Sequence, residues 1–262
     1  MNKATFLKLA MPFAMASAGS AHATYTTYFG EDQNNSATVP LVTLVNSQSA
    51  QASFLSTLTG AGVENFETRS GSGPLALSFT GYSGGTLTGT LSGAGNVVIN
   101  AAGQTNGFGR YSVPGGTHYW DTNLASSTLQ LTFGQKIAAF GFYGVDIGVF
   151  GGQAVVDLYV GTTLLKSLSV SNTIGNNGST DGSVLYFGVI AGTSAETFDT
   201  IKFRTTLTGN DTFGFDSFTV AELRQVGSAP PPGGTVPEPT SLALAGLALA
   251  AAGFATRLTR RA

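Results

Sequence analysis

The sequence predicts an all-β protein, an antiparallel two-sheet β-sandwich of the jelly-roll type with one short helix. Two observations indicate this fold. Short strand-like runs recur about every 8–12 residues, with turn residues between them. Glycine accounts for 36 of the 262 residues, about twice its usual share, and charged residues for only 10%. This composition suits short strands joined by tight turns.

One helix is predicted at about residues 47–58, where apolar residues recur at near-helical spacing. Asn46 or Ser47 can cap its start, and Gly60 or Gly62 can end it. After this helix the apolar period changes from the helical spacing to two, which is the spacing of strands.

The strands are expected to form one domain over residues 24–226. Residues 24–38 are polar and expected to be extended or loose. The segment 137–145 is continuously apolar and therefore expected to be a central strand. Strands are predicted at residues 39–45, 63–67, 75–79, 86–91, 96–99, 128–133, 137–145, 154–160, 163–170, 184–190, 200–206 and 213–223.

The N-terminus has the three parts of a secretory signal peptide. Lys3 and Lys8 form a basic region, an apolar run of small residues follows, and Ala21 to Ala23 fits a small-x-small cleavage site. The apolar run is too short to span a membrane comfortably as an uncleaved anchor. Residues 1–23 are therefore predicted to be a signal peptide that signal peptidase removes after Ala23.

The C-terminus holds a second apolar segment. Residues 227–235 form a Pro/Gly linker, and the 18 residues from Pro239 to Thr256 carry no charge. As a helix these residues reach ~27 Å, enough for a thin bilayer core. The arginines that follow, Arg257, Arg260 and Arg261, favour the cytoplasmic side and place the preceding chain outside. A plain tail anchor and a buried hairpin helix are the alternatives.

Residues 236–262 resemble the PEP-CTERM sorting signal of exported proteins in Gram-negative bacteria. Pro237, Glu238 and Pro239 match its motif residue for residue, and the apolar helix and basic end follow in the same order. The resemblance implies a partner, the membrane-embedded cysteine transpeptidase called exosortase, which would recognise these three residues. It also implies anchoring in the inner membrane, then processing and delivery to the cell surface or extracellular matrix.

Charge and cysteine content exclude several classes of partner and cross-link. The chain has no cysteine, so an exported domain would hold no disulfide. Between Thr24 and Val236 there are 13 acidic and 7 basic residues, a net charge of −6. A mildly acidic exported domain argues against nucleic acid as a partner. It leaves Ca²⁺, which is abundant outside cells, as a possible structural cofactor.

Glu67 and Asp216 are the candidate metal ligands. Strict alternation over residues 213–220 puts Asp216 on the same face as Phe218 and Val220, which are expected to face the core, so its carboxylate needs a partner. First and last strands often neighbour each other in jelly rolls, which would bring Glu67 to Asp216. We therefore predict that a Ca²⁺ ion ties the two ends of the domain together through these residues.

The layout is similar to jelly-roll carbohydrate-binding modules, in which an early Glu and a late Asp share a structural Ca²⁺. It also resembles PEP-CTERM cargo domains, which carry an early Phe-Glu, a central Phe-Gly-Phe and a late Asp-x-Phe. These motifs correspond here to Phe66-Glu67, Phe140 to Phe142 and Asp216 to Phe218. The alternative is that Glu67 pairs with Arg69 or a lysine and that Asp216 makes turn hydrogen bonds.

His118, Tyr119 and Trp120 form a candidate carbohydrate site. Aromatic rings near a loop can stack on sugar faces while polar neighbours bind the hydroxyls. The alternative is that Trp120 is a core residue at the start of a strand. His118 is the single histidine left after export, and a lone histidine makes neither a zinc site nor a catalytic triad.

No catalytic site is predicted. Glycoside hydrolysis needs two carboxylates about 5–9.5 Å apart, and no spacing in the sequence selects such a pair. The expected function is that of an exported surface or matrix protein with a structural or adhesive role. Its association with exopolysaccharide is what the resemblance to PEP-CTERM proteins implies. A carbohydrate-binding module with a site near Trp120 is the alternative, and a glycoside hydrolase or lyase is the third possibility.

Overall fold

The computed structural model describes residues 25–113, 115–124, 129–175, 179–207 and 209–227. This part of the chain folds into thirteen strands and one α-helix, with two short 3₁₀ turns. The elements are β1 (Thr26–Asp32), α1 (Val45–Leu55), β2 (Gly62–Glu64), β3 (Leu75–Phe79), β4 (Leu87–Ser92), β5 (Asn96–Ile99), β6 (His118–Asn123), β7 (Leu129–Ile137), β8 (Ala139–Val145), β9 (Ala154–Val160), β10 (Thr163–Ser169), β11 (Val184–Ile190), β12 (Phe198–Thr205) and β13 (Thr212–Ala221).

The strands form two antiparallel sheets. The seven-stranded sheet has the order β1-β11-β8-β13-β6-β5, and β2 pairs with a further part of β13. The six-stranded sheet has the order β10-β9-β12-β7-β4-β3. From β6 to β9 and again from β10 to β13, each connection carries the chain from one sheet to the other. The predicted antiparallel two-sheet sandwich with one helix is confirmed.

Aromatic rings fill the space between the two sheets. Phe140 and Phe142 of β8, Phe215 and Phe218 of β13, and Phe203 of β12 form one contiguous cluster. Neighbouring ring centroids lie 5.1 to 6.0 Å apart, mostly in tilted or edge-to-face arrangements. Such rings bury large apolar areas and dominate the energetics of a core.

A second apolar cluster covers the outer face of the seven-stranded sheet. Phe54 of α1 packs on Tyr186 of β11, and Tyr143 of β8 joins Tyr111 and Val113 from a long connection. Strands β8 and β11 are therefore buried on both faces, which explains why their sequences are apolar without alternation. The prediction of a central strand over 137–145 is confirmed by β8, which lies between β11 and β13.

Glycine lets the helix approach this sheet closely. Gly141 and Gly188 face each other across β8 and β11. A Cβ atom on Gly188 would lie 2.6 Å from Cδ2 of Phe54, and one on Gly141 would collide with the hydroxyl of Tyr186. The central Phe-Gly-Phe motif thus sends two phenylalanines inward and leaves room for the helix on the outside.

Helix α1 begins and ends earlier than predicted, and its cap comes from another element. The backbone amides of Asn46 and Ser47 donate to the Asp32 carboxylate at 2.9 Å each, and the Ser47 hydroxyl donates to it at 2.6 Å. Asn46 and Ser47 are therefore capped residues rather than caps. A carboxylate at the helix start also complements the positive end of the helix dipole.

Asp32 ends β1, a strand that the sequence did not predict. Residues 26–32 pair with β11 at the edge of the seven-stranded sheet, although they were expected to be extended or loose. The strand predicted at 39–45 is wrong, since residues 39–44 form the connection that leads into α1.

A bulge in β13 overturns the predicted alternation around Asp216. The pairing with β8 shifts register between Asp216 and Thr219, and Ser217 has a left-handed φ of 51°. Phe215 and Phe218 consequently both enter the core between the sheets. Asp216 does not share their side and lies on the outer face instead, beneath Val113.

The C-terminal residues of the sandwich lie beside the residues that follow α1. Val226 forms an isolated β-bridge with Leu58, and the amide of Thr59 donates to the carbonyl of Gln225 at 2.9 Å. The predicted signal peptide, the linker beyond Gly227 and residues 236–262 lie outside the described residues. Within the part of the chain that is described, no helix has the length and apolar character needed to cross a membrane.

Candidate functional site

Asp216 anchors a segment that lies over the outer face of β13. This cover segment comprises residues 111–113 and 115–118. The Asp216 carboxylate is 1% exposed and accepts hydrogen bonds from the Ser112 hydroxyl at 2.8 Å and the Val113 amide at 2.9 Å. The Ser217 amide donates to its other oxygen at 2.6 Å. Burial raises the pKa of Asp216 well above its ordinary value, against these hydrogen bonds.

Glu67 holds the other end of the cover segment. Its Oε1 accepts the backbone amides of Thr117 and His118 at 2.9 and 3.0 Å. Its Oε2 accepts the Thr117 hydroxyl at 3.0 Å and lies 3.3 Å from Nδ1 of His118. Partial burial alone would raise the pKa of Glu67, but the hydrogen bonds from His118 and Thr117 outweigh it and lower the pKa below the ordinary value.

The surroundings of these two carboxylates do not fit a shared Ca²⁺ ion. Their oxygens face N–H and O–H donors, whereas Ca²⁺ takes carboxylate and carbonyl oxygens. Among the residues that the structure describes, no three His, Asp or Glu side chains are grouped as the ligands of one metal. Glu67 also does not pair with Arg69, whose guanidinium lies 2.6 Å from Glu64.

The aromatic residues proposed to stack on sugar are placed in the interior. Trp120 and Tyr119 are both 0% exposed. Trp120 packs in the core between the sheets, and Tyr119 lies on the opposite face with its hydroxyl directed at the carbonyl of Arg110. This burial corrects the expectation of a ring surface near the loop, because no sugar can reach either face. His118 is half-buried and oriented by Glu67.

A groove lies beside the cover segment. We call it the loop groove. It separates residues 40–48, which include the first turn of α1, from residues 100–104 and the cover segment, and its volume is about 430 Å³. Among the described residues that line it there is no charged side chain. Amide and hydroxyl side chains, backbone groups, aliphatic carbons and the largely buried Tyr111 form its surface.

A buried charge cluster, not predicted from the sequence, lies near the same connection. Nε of Arg110 is 3.1 Å from Asp121, and its Nη1 is 3.4 Å from Asp146. Burial raises the pKa values of Asp146 and Asp211 to about 7 each, and the charge of Asp146 adds to the shift at Asp211. Within the described residues, Oδ2 of Asp211 is buried without a hydrogen-bond partner. The guanidinium of Arg110 is thus the positive charge that several desolvated carboxylates share.

No local signal in the sequence could identify this cluster. Arg110 lies in a Gly-rich connection, and its partners come from β6 and from the turn that follows β8. Only the packing of the connection over the seven-stranded sheet brings them together. The same holds for Asp32, whose role as a helix cap depends on the pairing of β1 with β11.

Comparison with known proteins identifies the C-terminal segment. Residues 235–261 match the PEP-CTERM protein-sorting motif. A search of curated proteins finds no match. Among solved structures, the chain is similar to the crystal structure of a Stig cyclase, Fisc from Fischerella sp. TAU, in complex with (3Z)-3-(1-methyl-2-pyrrolidinylidene)-3H-indole. The two are 12% identical, with 71% of this chain and 98% of that chain covered and a TM-score of 0.29, so the likeness carries no conclusion.

The match includes Pro237, Glu238 and Pro239, the three residues that the sequence analysis assigned to the motif. What the comparisons do establish concerns the destination of the chain. This protein carries a PEP-CTERM signal and is exported and sorted by exosortase to the cell envelope or surface.

Proposed function

We propose that the β-sandwich is a non-catalytic module with a structural or adhesive role at the surface of a Gram-negative cell, in contact with exopolysaccharide. The observation that carries this proposal is the chemistry of the loop groove, a concave surface of about 430 Å³ without a charged side chain among its described lining residues. Neutral amides, hydroxyls and backbone groups can bind a polymer. They do not supply the acid and base that glycoside cleavage needs.

The carboxylates of the domain support the same proposal, because many are used to hold the fold together. Asp32 caps α1, and Glu67 and Asp216 fix the cover segment. Glu64 pairs with Arg69, and Asp157 pairs with Arg204 at 2.7 Å. Side chains used in this way stabilise a scaffold and are poor candidates for general acid and base.

Export provides the context for this role. The PEP-CTERM signal directs the chain to the envelope or surface. Signal peptidase at Ala23 and exosortase at the Pro237-Glu238-Pro239 motif would release a module that meets the extracellular matrix. A dedicated carbohydrate-binding module built on Trp120 finds no support in the burial of that ring.

The test compares the intact protein in its producing organism with a variant whose sorting motif is disrupted, Pro237→Ala/Glu238→Ala/Pro239→Ala. We expect the wild type to co-purify with extracellular polysaccharide and the variant to stay in the cell fraction. Incubation with the polymer should leave the polymer's size distribution unchanged. Wild-type protein recovered free of polysaccharide, or a polymer shortened by the protein, would overturn the proposal.

A further inference from the structure

The loop groove has the size of a ligand site. Its volume of about 430 Å³ lies within the range of ~300–1,000 Å³ that is usual for such sites. One wall is formed by residues 40–48, the other by residues 100–104 and the cover segment.

Both walls are held by hydrogen bonds within the protein. The Leu41 amide donates to the Tyr111 hydroxyl at 3.0 Å, and this hydroxyl donates to the carbonyl of Gly182 at 2.9 Å. The Val113 amide is bound by Asp216 and the Thr117 amide by Glu67. A groove organised before binding loses less conformational entropy when a ligand enters.

The polar groups at the rim are free to bind. Gln48 and Gln104 line the groove with exposed side chains, and among the described residues neither amide group has a hydrogen-bond partner. An amide side chain offers two N–H donors and a carbonyl acceptor, which matches hydroxyl groups that both donate and accept. Pro40 and Val42 add aliphatic surface beside them, and Val42 is almost fully exposed.

The charges in and around the loop groove disfavour an ionic ligand. The described lining contains no lysine or arginine to pair with a uronate or sulfate. The two carboxylates bound to lining residues, Glu67 and Asp216, already accept hydrogen bonds from Thr117 and His118 and from Ser112 and Val113. The net charge of −6 over residues 24–236 also repels polyanions.

We infer that the loop groove binds an uncharged segment of a polysaccharide, with Gln48 and Gln104 hydrogen-bonded to sugar hydroxyls and Pro40 and Val42 against the apolar face of a ring. This inference rests on the proposed function, to which it adds the place of contact and the class of sugar. It differs from a stacking site at Trp120, because Trp120 does not line the groove.

Retention on extracellular polysaccharide of the producing organism tests the inference, with protein in the form displayed at its surface. One variant, Ala101→Trp, fills the groove from its exposed rim. Another, Gln48→Ala/Gln104→Ala, removes both amides. The matched control is Ala195→Trp, because Ala195 is exposed on a short turn and does not line the groove. Circular dichroism melting curves report whether each variant folds.

We expect Gln48→Ala/Gln104→Ala to lose roughly tenfold in affinity, as two neutral hydrogen bonds imply. Ala101→Trp should lose at least as much, because its ring occupies the groove, while the control binds like the wild type. Chemical reduction of the polymer's carboxyl groups to alcohols should preserve binding. Added salt should leave binding unchanged up to about 0.5 M, since ionic attraction would be screened there.

The outcomes separate the two proposals. If the wild type binds the polymer but folded groove variants bind equally well, the groove inference is overturned and the adhesive role stands. Loss of binding after carboxyl reduction overturns it as well, because the ligand would then be acidic. If the wild type does not bind the polymer in either form, both proposals are overturned.

Discussion

Glu67 and Asp216 hold opposite ends of the cover segment. Glu67 accepts the amides of Thr117 and His118, and Asp216 accepts the amide of Val113. The two carboxylates also interact electrostatically, because the charge of Glu67 contributes to the raised pKa of Asp216. Asp216 lies in β13, and Glu67 lies in the turn that follows β2, which pairs with β13 through Glu64 and Phe218. The expected neighbourhood of the two residues is present, with hydrogen-bond donors around them.

The first prediction concerns calcium. Because N–H and O–H donors surround both carboxylates, we expect EDTA to leave the melting temperature of the protein unchanged. Differential scanning calorimetry with EDTA and with added CaCl₂ measures this. A fall of several degrees in EDTA that CaCl₂ reverses would instead support the calcium tie predicted from the sequence.

The second prediction concerns the buried carboxylate itself. Asp216→Asn replaces one acceptor oxygen with an N–H₂ group that must face the donors of Ser112, Val113 or Ser217. We expect a loss of about 1–3 kcal/mol in the free energy of unfolding, measured by urea denaturation. Asp199→Asn is the control, since Asp199 binds the amide of Gly161 at an exposed turn. Equal stability of the two variants would contradict the anchoring role of Asp216.

The third prediction concerns the start of α1. Asp32→Ala removes the acceptor for the amides of Asn46 and Ser47, and we expect it to cost about 1–2 kcal/mol in the free energy of unfolding. Hydrogen exchange at these two amides should accelerate at the same time. Gln33→Ala, at the exposed neighbouring position, serves as control. Unchanged exchange at residues 46 and 47 would show that Asp32 does not cap the helix.

The fourth prediction concerns pH. Folding raises the pKa of Asp211 from 3.8 to about 7 through burial, so between these values the folded chain keeps a proton that the unfolded chain has released. The stability linked to this group is full below about pH 4 and is lost as the pH rises through about 7. Asp211→Asn has no such loss, because its side chain stays neutral.

We therefore expect Asp211→Asn to be more stable than the wild type at about pH 8, by on the order of a few kcal/mol, and nearly equal to it at about pH 4. Thermal melts of both proteins across this range measure the difference. Asp199→Asn controls for the loss of one surface charge. A difference between Asp211→Asn and the wild type that does not vary with pH would refute the assignment.

The fifth prediction concerns the two ends of the chain. Mass spectrometry of protein released from the cell surface should find a chain that begins after Ala23, as the predicted signal peptide implies, and that lacks the C-terminal arginines, because exosortase processes the PEP-CTERM signal. Arg260 and Arg261 recovered in the surface fraction would argue against removal of the tail. The unprocessed chain in a cell without exosortase is the control.

The sequence predicts those strands whose apolar residues and flanking turn residues form a local pattern. Strand β9 is an apolar run with glycines at both ends, and it forms at the predicted residues 154–160. Strand β7 extends to Ile137, beyond the predicted end at residue 133, because no turn residue marks its junction with β8. Strand β1 has a polar sequence and an exposed edge, and only its pairing with β11 makes it a strand. The bulge at Ser217 could not be predicted, because its left-handed backbone is adopted by a serine rather than a glycine.

The candidate site was only partly predictable for the same reason. The proximity of Glu67 and Asp216 follows from the pairing of an early and a late strand. Apart from the Ser217 amide, their hydrogen-bond donors come from the cover segment, about 50 and 100 residues away along the chain, and no periodicity encodes such contacts. The burial of Trp120 likewise depends on which side of β6 faces the opposite sheet.

The bridge between Leu58 and Val226 determines where mechanical force would enter the sandwich. The loop groove touches Leu44 and Gln48 near the beginning of α1, whereas the chain leaves beside Leu58, beyond the end of that helix. A pull on the chain beyond Val226 would reach β13 through residues 222–226. Because β13 is hydrogen-bonded to β2, β6 and β8, three neighbouring strands would share that load.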